Sequence, residues 1–259
     1  MKKFIRVLLI GLCAPFVFAA NANAVILADI VWAIDTSGSM GGDITEVKQR
    51  ITEFNTAMVN NGIDAHYGLV RFGGSETLIQ DIVDFTTFTA VGSPFTTLTA
   101  NGGGNEDGVN ALGTALTANF RANSVKNLVL VTDENDDSSV SEVASVLSSL
   151  AQVDPLVNII GNPNAVGLAN GSGSVPEPNT YPELATLYGG QFFNILDFRS
   201  TPETFFTNFV NTKVQEIIDA GCNPQLEDCS TVPTPGTLAL FGLGFLGLRL
   251  AQKRVANKS

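Results

Sequence analysis

One short loop carries the residue types that hold hard metal ions. Residues 35–40 read D-T-S-G-S-M, so the carboxylate of Asp35 alternates with the hydroxyls of Ser37 and Ser39. Gly38 lets the backbone bend tightly between them. Mg²⁺ and Ca²⁺ prefer such an all-oxygen donor set. The same pattern also suits a polar turn that leads into a helix, so it indicates a metal site only if other donors join it.

A second acidic loop follows another apolar run. Asp133 comes directly after K-N-L-V-L-V-T, as Asp35 comes after an apolar run of its own. Two carboxylates at the ends of adjacent strands repel each other unless a cation joins them. Farther along this loop, Asp136 or Asp137 is predicted to cap the helix that begins near Ser139.

A third loop, residues 99–107, reads T-A-N-G-G-G-N-E-D before a predicted helix. Three glycines in such a place can suit a phosphate. However, no G-K-[ST] follows, and the carboxylates of Glu106 and Asp107 would repel phosphate. The plainer interpretation is a flexible loop whose polar residues cap the next helix.

Strand and helix patterns alternate along the chain and must position these loops. Val25–Ile34 is apolar on both faces, as a strand inside a parallel sheet is. Ile44–Asn60 has a single apolar stripe, and Asp43 with Glu46 is predicted to form its N-terminal capping box. The other predicted strands are His66–Phe72, Ile79–Phe85, Lys126–Thr132, Leu156–Ile160 and Gln191–Ile195, and the other helices are Glu106–Phe120, Ser139–Leu150, Thr180–Leu187 and Pro202–Ala220, with residues 88–98 irregular or a short helix.

This alternation predicts an α/β fold: a Rossmann-like, doubly wound, mostly parallel central sheet with helices on both faces. Ile79–Phe85 is predicted to be an antiparallel edge strand. Ligands of open α/β sheets bind beyond the carboxyl ends of the strands. We therefore expect Asp35 and Asp133 at one edge of the sheet. Trp32 and His66, the single histidine, are expected to have structural roles.

The charge of the chain limits its partners. Residues 25–235 carry seven Lys/Arg and all 25 Asp/Glu, a formal charge of −18. Such a surface repels nucleic acid and anionic lipid but attracts cations. We therefore expect no nucleic-acid partner.

Taken together, these segments resemble the von Willebrand factor A family. D-T-S-G-S-M is similar to the opening of that family's metal-ion-dependent adhesion site, and L-V-L-V-T-D to its later aspartate strand. Y-G-L-V-R-F is similar to its second strand, and G-G-G-N-E-D-G-V-N-A-L to its middle loop and helix. The resemblance covers about Ala28 to Ile218 and implies one such domain over residues 25–220.

The resemblance implies a metal site on the three loops. Asp35, Ser37 and Ser39 would hold a divalent ion, Mg²⁺ or else Ca²⁺ or Mn²⁺, with Asp133 bound directly or through water. Glu106 stands where an acidic branch of the family, including integrin β subunits, uses glutamate. Many members place a threonine in this loop, so Thr99 is the alternative to Glu106. Three carboxylates neutralise a divalent ion heavily, which favours passive binding over Lewis-acid catalysis.

Both ends of the chain look like targeting segments. Residues 1–24 have a basic start, an apolar stretch and the small-x-small site Ala22-Asn23-Ala24, which together predict a secretory signal peptide. A lipoprotein signal at Cys13 is the weaker alternative, because Leu12 stands where a small residue is needed. Residues 221–231 are predicted to be a linker. In an exported protein Cys222 and Cys229 would form a disulfide there, the alternative being two free thiols.

Residues 232–259 resemble a PEP-CTERM sorting signal. Val232, Pro233, Thr234 and Pro235 form the short proline motif, and a Gly/Leu-rich apolar run and a basic end follow. Thr234 stands where the family has glutamate. The resemblance implies a short transmembrane helix with transient inner-membrane anchoring, processing by an exosortase, and final location at the cell surface or extracellular matrix of a Gram-negative bacterium.

The leading functional hypothesis is a secreted, metal-dependent adhesion module that binds a protein ligand or an acidic exopolysaccharide. A structural envelope or matrix protein without an active metal site is the alternative. An enzyme is disfavoured. Aspartyl-phosphate chemistry on Asp35 lacks a second acid at Ser37 and a basic residue in the loops, and serine hydrolysis has only His66 and no G-x-S-x-G elbow.

Overall fold

Six strands form the centre of the structure, a computed structural model that describes residues 25–169 and 177–221. Their order in the sheet is β3-β2-β1-β4-β5-β6, and every neighbouring pair is parallel except β2 with β3. The strands are β1 Ile26–Asp35, β2 Ile63–Phe72, β3 Thr77–Asp84, β4 Val125–Val131, β5 Leu156–Gly161 and β6 Phe192–Asn194. The predicted fold class, including the antiparallel edge strand, is confirmed.

Helices cover both faces of this sheet. In the described part of the chain they are α1 Gly41–Asn60, α2 Phe85–Phe88, α3 Pro94–Thr97, α4 Gly108–Ala115, α5 Val140–Val153, α6 Tyr181–Leu187, α7 Ile195–Ser200 and α8 Pro202–Gly221. One apolar core lies between the sheet and α1, α7 and α8, and a second lies between the sheet and α4, α5 and α6. Trp32 of β1 belongs to the first core, in edge contact with Phe54 of α1, as expected for core packing.

β1 is the strand that positions the candidate site. Its side chains alternate between the two cores, so eight consecutive residues from Ala28 to Asp35 are buried. It pairs in parallel with β2 and β4, which puts Ile34 beside Val131 and Asp35 beside Phe72. The carboxyl ends of these central strands therefore meet at one edge of the sheet.

The start of α1 differs from the prediction. The helix begins at Gly41 rather than Ile44, because a 3₁₀ turn over Gly38–Met40 leads directly into it. No side chain caps this end, so the predicted capping box of Asp43 and Glu46 is wrong. Asp43 lies inside the first turn, where its carboxylate binds Arg199 instead.

Two other helix starts also differ. α5 is capped by Ser139, whose hydroxyl accepts from the N–H of Glu142 while the Glu142 carboxylate accepts from the Ser139 N–H. The expected cap from Asp136 or Asp137 is therefore wrong. α4 is only eight residues long and begins at Gly108, which leaves Glu106 in the preceding loop.

The predicted targeting segments stand at the two ends of the chain. The signal peptide, the linker with Cys222 and Cys229, and the sorting signal at 232–259 lie outside the described residues. Within 25–169 and 177–221, no helix is long and apolar enough to cross a membrane.

Candidate metal centre

The turn after β1 folds back onto the last residue of the strand. Asp35 is fully buried and Ser37 is nearly so, whereas Ser39 is exposed. The N–H of Ser37 donates to Asp35 Oδ1 at 2.7 Å, and the hydroxyl oxygens of Ser37 and Ser39 lie 3.2 Å apart. The alternating pattern thus gathers two hydroxyls and one carboxylate on a single turn.

The end of β4 brings a second carboxylate to the same edge. Asp133 Oδ1 accepts a hydrogen bond of 2.9 Å from the Ser39 hydroxyl, and the Thr132 hydroxyl donates to Asp35 Oδ2 at 3.0 Å. Burial raises the pKa of Asp35, hydrogen bonds from Ser37 and Thr132 lower it, and the negative charge of Asp133 adds to the rise. The structure therefore brings together the two aspartates predicted to meet here.

Glu106 supplies a third carboxylate, from the loop before α4. The residue is only 3% exposed, and its backbone is held by two hydrogen bonds with Asp137. Within the described residues, no hydrogen bond is donated to the Glu106 carboxylate. Burial raises its pKa to about 7, with further contributions from the negative charges of Glu134, Asp35, Asp137 and Asp133. The Glu106 carboxylate is therefore close to other negative charges and has no hydrogen-bond donor among the described residues.

Glycines let the middle loop approach the β1 turn closely. The N–H of Gly102 donates to the Thr36 carbonyl at 2.7 Å, and the N–H of Gly103 donates to the Gly73 carbonyl at 2.7 Å. A Cβ on Gly102 would lie 2.5 Å from the Gly73 oxygen and 2.6 Å from the Thr36 hydroxyl. Only glycine fits there, and this contact sets the position from which the loop continues to Glu106.

Asp136 positions the acidic loops, a role that the sequence analysis missed. Its side chain is 1% exposed and accepts from the N–H groups of Val109 at 2.9 Å and Ala169 at 3.1 Å and from the Ser138 hydroxyl at 2.8 Å. Asp136 therefore joins the loop after β4 to the start of α4, close to Glu106. The acidic run in the sequence indicated that one of its residues caps a helix. It did not indicate that the helix is α4 rather than α5.

Arg199 is the second residue that the sequence analysis missed. It lies in the last turn of α7, and its Nη2 is 2.8 Å from Asp133 Oδ2 and 2.6 Å from Asp43 Oδ2. The hydrogen bonds and charges of the two aspartates raise its pKa, those of Asp43 most strongly. A fixed positive charge thus stands beside a predicted metal ligand. The sequence offered one signal for this role. Basic residues are scarce in this acidic chain and buried acids need partners, so each basic residue is a candidate partner of a buried acid.

Thr99, the alternative middle-loop ligand, is not hydrogen-bonded to this group. It is exposed and lines a cavity together with Arg71 and Asn101. Among the described residues its hydroxyl makes no hydrogen bond with Asp35, Ser37 or Ser39.

The donor set is mixed rather than purely acidic. Across residues 25–169 and 177–221, no three carboxylate, imidazole or thiol side chains are grouped closely enough to form a metal cage by themselves. Any ion at the end of β1 would therefore depend on the two serine hydroxyls as well as on the acids. Such a combination of oxygens is what Mg²⁺ and Ca²⁺ accept.

Comparison with known proteins identifies a family for this arrangement. The sequence model of the von Willebrand factor type A domain matches residues 29–206, which is more than half of the chain. A search of curated proteins finds no match.

Several solved structures resemble this chain, and one of them has a TM-score above 0.5. A von Willebrand factor type A protein from Catenulispora acidiphila has a TM-score of 0.54 at 19% identity, covering 74% of this chain and 43% of that one, so this chain spans less than half of that protein. An aerotolerance-related membrane protein from Bacteroides fragilis has a TM-score of 0.46 at 16% identity, covering 71% and 98%. Proximal thread matrix protein 1 from the mussel byssus has a TM-score of 0.48 at 16% identity, covering 72% and 46%. At these identities the likeness concerns the fold alone.

Proposed function

The chain belongs to the von Willebrand factor type A domain family, and from that premise we propose that it is a metal-dependent binding module. Asp35, Ser37 and Ser39 would hold one divalent cation, Mg²⁺ or else Ca²⁺ or Mn²⁺, at the end of β1. Asp133 would contribute directly or through water, and Glu106 would complete the set. The bound ion would supply an open coordination position for an oxygen of the partner.

The observation that carries this proposal is the Glu106 carboxylate. It is buried, it receives no hydrogen bond from the described residues, and it feels the negative charges of Asp35 and Asp133. A buried charge of this kind is costly unless it is paired. A divalent cation held by these acids together with the serine hydroxyls would give the Glu106 carboxylate a partner and would reduce the repulsion between the acids.

The charges of the candidate metal site favour ligand binding over catalysis, and they favour an anionic partner over a cationic one. A divalent ion would offset two of the three carboxylate charges, and Arg199 adds one positive charge that Asp133 shares with Asp43. A protein or polysaccharide carboxylate can then reach the ion even though residues 25–235 carry a charge of −18. The same charge opposes nucleic acid.

The proposal is tested by calorimetric titration of the purified protein with Mg²⁺, Ca²⁺ and Mn²⁺. Asp35→Ala should abolish metal uptake and weaken partner binding. Asp219→Ala, which removes an exposed carboxylate near the end of α8, should leave both unchanged. Undiminished metal uptake by Asp35→Ala would show that the ion binds elsewhere, and undiminished partner binding would show that the partner does not need it.

One observation favours a second candidate, a structural module without a metal. The Arg199 guanidinium already neutralises Asp133, as a bound cation would. In that case the titrations would give no binding heat for any of the three metals, and Arg199→Gln would create no new site.

We propose no catalytic activity. The single histidine, His66, pairs in register with Asp29, six residues before Asp35 on β1. Six strand residues span about 20 Å, so His66 cannot serve as a base at the candidate site. Phosphatase and esterase assays with added Mg²⁺ should give no turnover above a blank, and activity lost in Asp35→Ala would refute this.

Export and sorting also remain proposals. We propose that residues 1–24 direct secretion, that Cys222 and Cys229 form a disulfide, and that an exosortase processes residues 232–259 at the inner membrane before the protein reaches the cell surface or matrix. These rest on the sequence patterns alone. Mass spectrometry of the mature protein, with and without reductant, would give its ends and the state of the two cysteines.

A further inference from the structure

A cavity of about 330 Å³ lies beside the candidate metal centre, next to the carboxyl ends of β2 and β1. Its lining contains one cation, three hydroxyl or amide side chains and several small apolar surfaces, and no acidic residue. The lining residues are Arg71, Ile79, Gly92, Pro94, Thr97, Leu98, Thr99 and Asn101. In a chain with 25 acidic residues, a pocket wall without a carboxylate is a chemically distinct surface.

Arg71 is the cation of this wall. Its side chain is exposed, and among the described residues it makes no ion pair or hydrogen bond. By contrast, Arg50, Arg121 and Arg199 are each paired with two acidic side chains. An unpaired guanidinium in a strongly acidic domain is available for an external carboxylate, which it can bind through two parallel hydrogen bonds.

A second positive charge, on Lys48, is hydrogen-bonded to the backbone of the same wall. The Nζ of Lys48 donates to the carbonyl of Thr96 at 3.1 Å and to that of Leu98. Burial lowers the pKa of Lys48, and no acidic partner of its ammonium is present in the described part of the chain. The ammonium therefore contributes an uncompensated positive potential to the wall that Leu98 lines.

The cavity and the metal site share one loop. Thr99 and Asn101 line the cavity, and their side chains make no hydrogen bonds within the described residues. The next residue, Gly102, is bonded to the turn that holds Ser37, and the loop then reaches Glu106. Adjacent units of one extended ligand can thus contact the cavity and the metal site together.

We propose that this cavity binds a carboxylated sugar unit. The Arg71 guanidinium would hold the carboxylate, Thr99 and Asn101 would bind ring hydroxyls, and Pro94 and Leu98 would contact the C–H face of the ring. A volume near the lower end of ligand pockets suits a unit of this size and exceeds what one acidic side chain of a protein would fill. This rests on the proposed binding function, for which it names the ligand class, but binding in the cavity does not itself need the metal.

The test uses a hexasaccharide of 1,4-linked galacturonic acid, its carboxyl-reduced neutral counterpart, and a hexaglutamate peptide. Binding to the purified protein is measured by calorimetry in EDTA and again in Mg²⁺. In EDTA the acidic hexasaccharide should bind, and Arg71→Gln should weaken binding about tenfold. Lys126→Gln is the matched control, because it removes one positive charge from the opposite end of the sheet.

Three results would overturn the assignment: no binding of the acidic hexasaccharide in EDTA, equally tight binding of the neutral sugar or of hexaglutamate, or equal effects of Arg71→Gln and Lys126→Gln. The metal proposal is judged separately, because Mg²⁺ should strengthen hexasaccharide binding in the parent protein but not in Asp35→Ala. An absent Mg²⁺ effect with binding intact in EDTA would refute the metal site and leave the cavity assignment standing.

Discussion

Replacing the buried carboxylate of Glu106 with an amide should stabilise the metal-free protein, and bound metal should cancel this advantage. In the metal-free protein, burial and neighbouring acids raise the pKa of Glu106 from 4.5 to about 7. The folded state therefore binds this proton more tightly than the unfolded state does. Stability should fall as the pH rises from about 4.5 to about 7 and should stay low above that window.

The size of this effect follows from the shift. One pKa unit corresponds to about 1.4 kcal/mol, so the ionised carboxylate costs at most about 3 kcal/mol, and about 1–2 kcal/mol once solvent screening is allowed for. Glu106→Gln should therefore stabilise the metal-free protein by about 1–2 kcal/mol at pH 8. For a domain of this size that is a rise of about 3–6 °C in Tm. The difference should shrink towards zero as the pH is lowered to 4.5.

Saturating Mg²⁺ should remove most or all of this difference. An ion present at about 100 times its Kd adds about 2.7 kcal/mol to the parent protein. A variant that binds it tenfold more weakly gains about 1.4 kcal/mol less.

Urea unfolding in EDTA and in Mg²⁺, each at several pH values, measures both effects. Glu53→Gln, at an exposed carboxylate of α1, should show neither. A Glu106→Gln variant that is less stable than the parent in EDTA at pH 8 would refute the reasoning, because the carboxylate would then be stabilised by contacts within the apo protein.

Three further predictions concern the residues around this carboxylate. Arg199→Gln leaves the buried Asp43 unpaired and should lower the free energy of unfolding by about 1–3 kcal/mol in chemical denaturation. It should also tighten Mg²⁺ binding in calorimetry, because a competing positive charge is gone. Unchanged stability would contradict this prediction. Gly102→Ala should cost about 1–3 kcal/mol in urea unfolding and weaken Mg²⁺ binding, since its Cβ has no room. The helical control Gly42→Ala has open space and should stabilise by about 0.5–1 kcal/mol, so equal effects of the two would be inconsistent with the loop contact. Ser39→Ala should lower Mg²⁺ affinity about tenfold with little change in Tm, because Ser39 is exposed; unchanged affinity would remove it from the ligand set.

The fold was predictable because it depends on patterns that are local in the chain. The doubly apolar run of β1 and the strand–helix alternation determine a covered parallel sheet, and the structure has that sheet with the predicted antiparallel edge. Helix boundaries were less well predicted. Asp43 and Glu46 have the spacing of a capping box, but a 3₁₀ turn begins the helix earlier and Asp43 binds Arg199. A side chain that can cap a helix can equally satisfy a distant cation, and spacing does not distinguish these outcomes.

The sequence by itself determined that Asp35, Ser37 and Ser39 share one turn at the end of a buried strand, because neighbours in a turn cannot separate. It also determined that Asp133 comes to the same edge, since parallel strands carry their carboxyl ends together. Only the tertiary structure decided the electrostatics there: that Glu106 is buried without a donor and that Arg199, 66 residues from Asp133, neutralises it. Both facts depend on how the helices and loops pack at the end of the sheet. An ion pair between residues far apart in the chain produces no periodic pattern in the sequence.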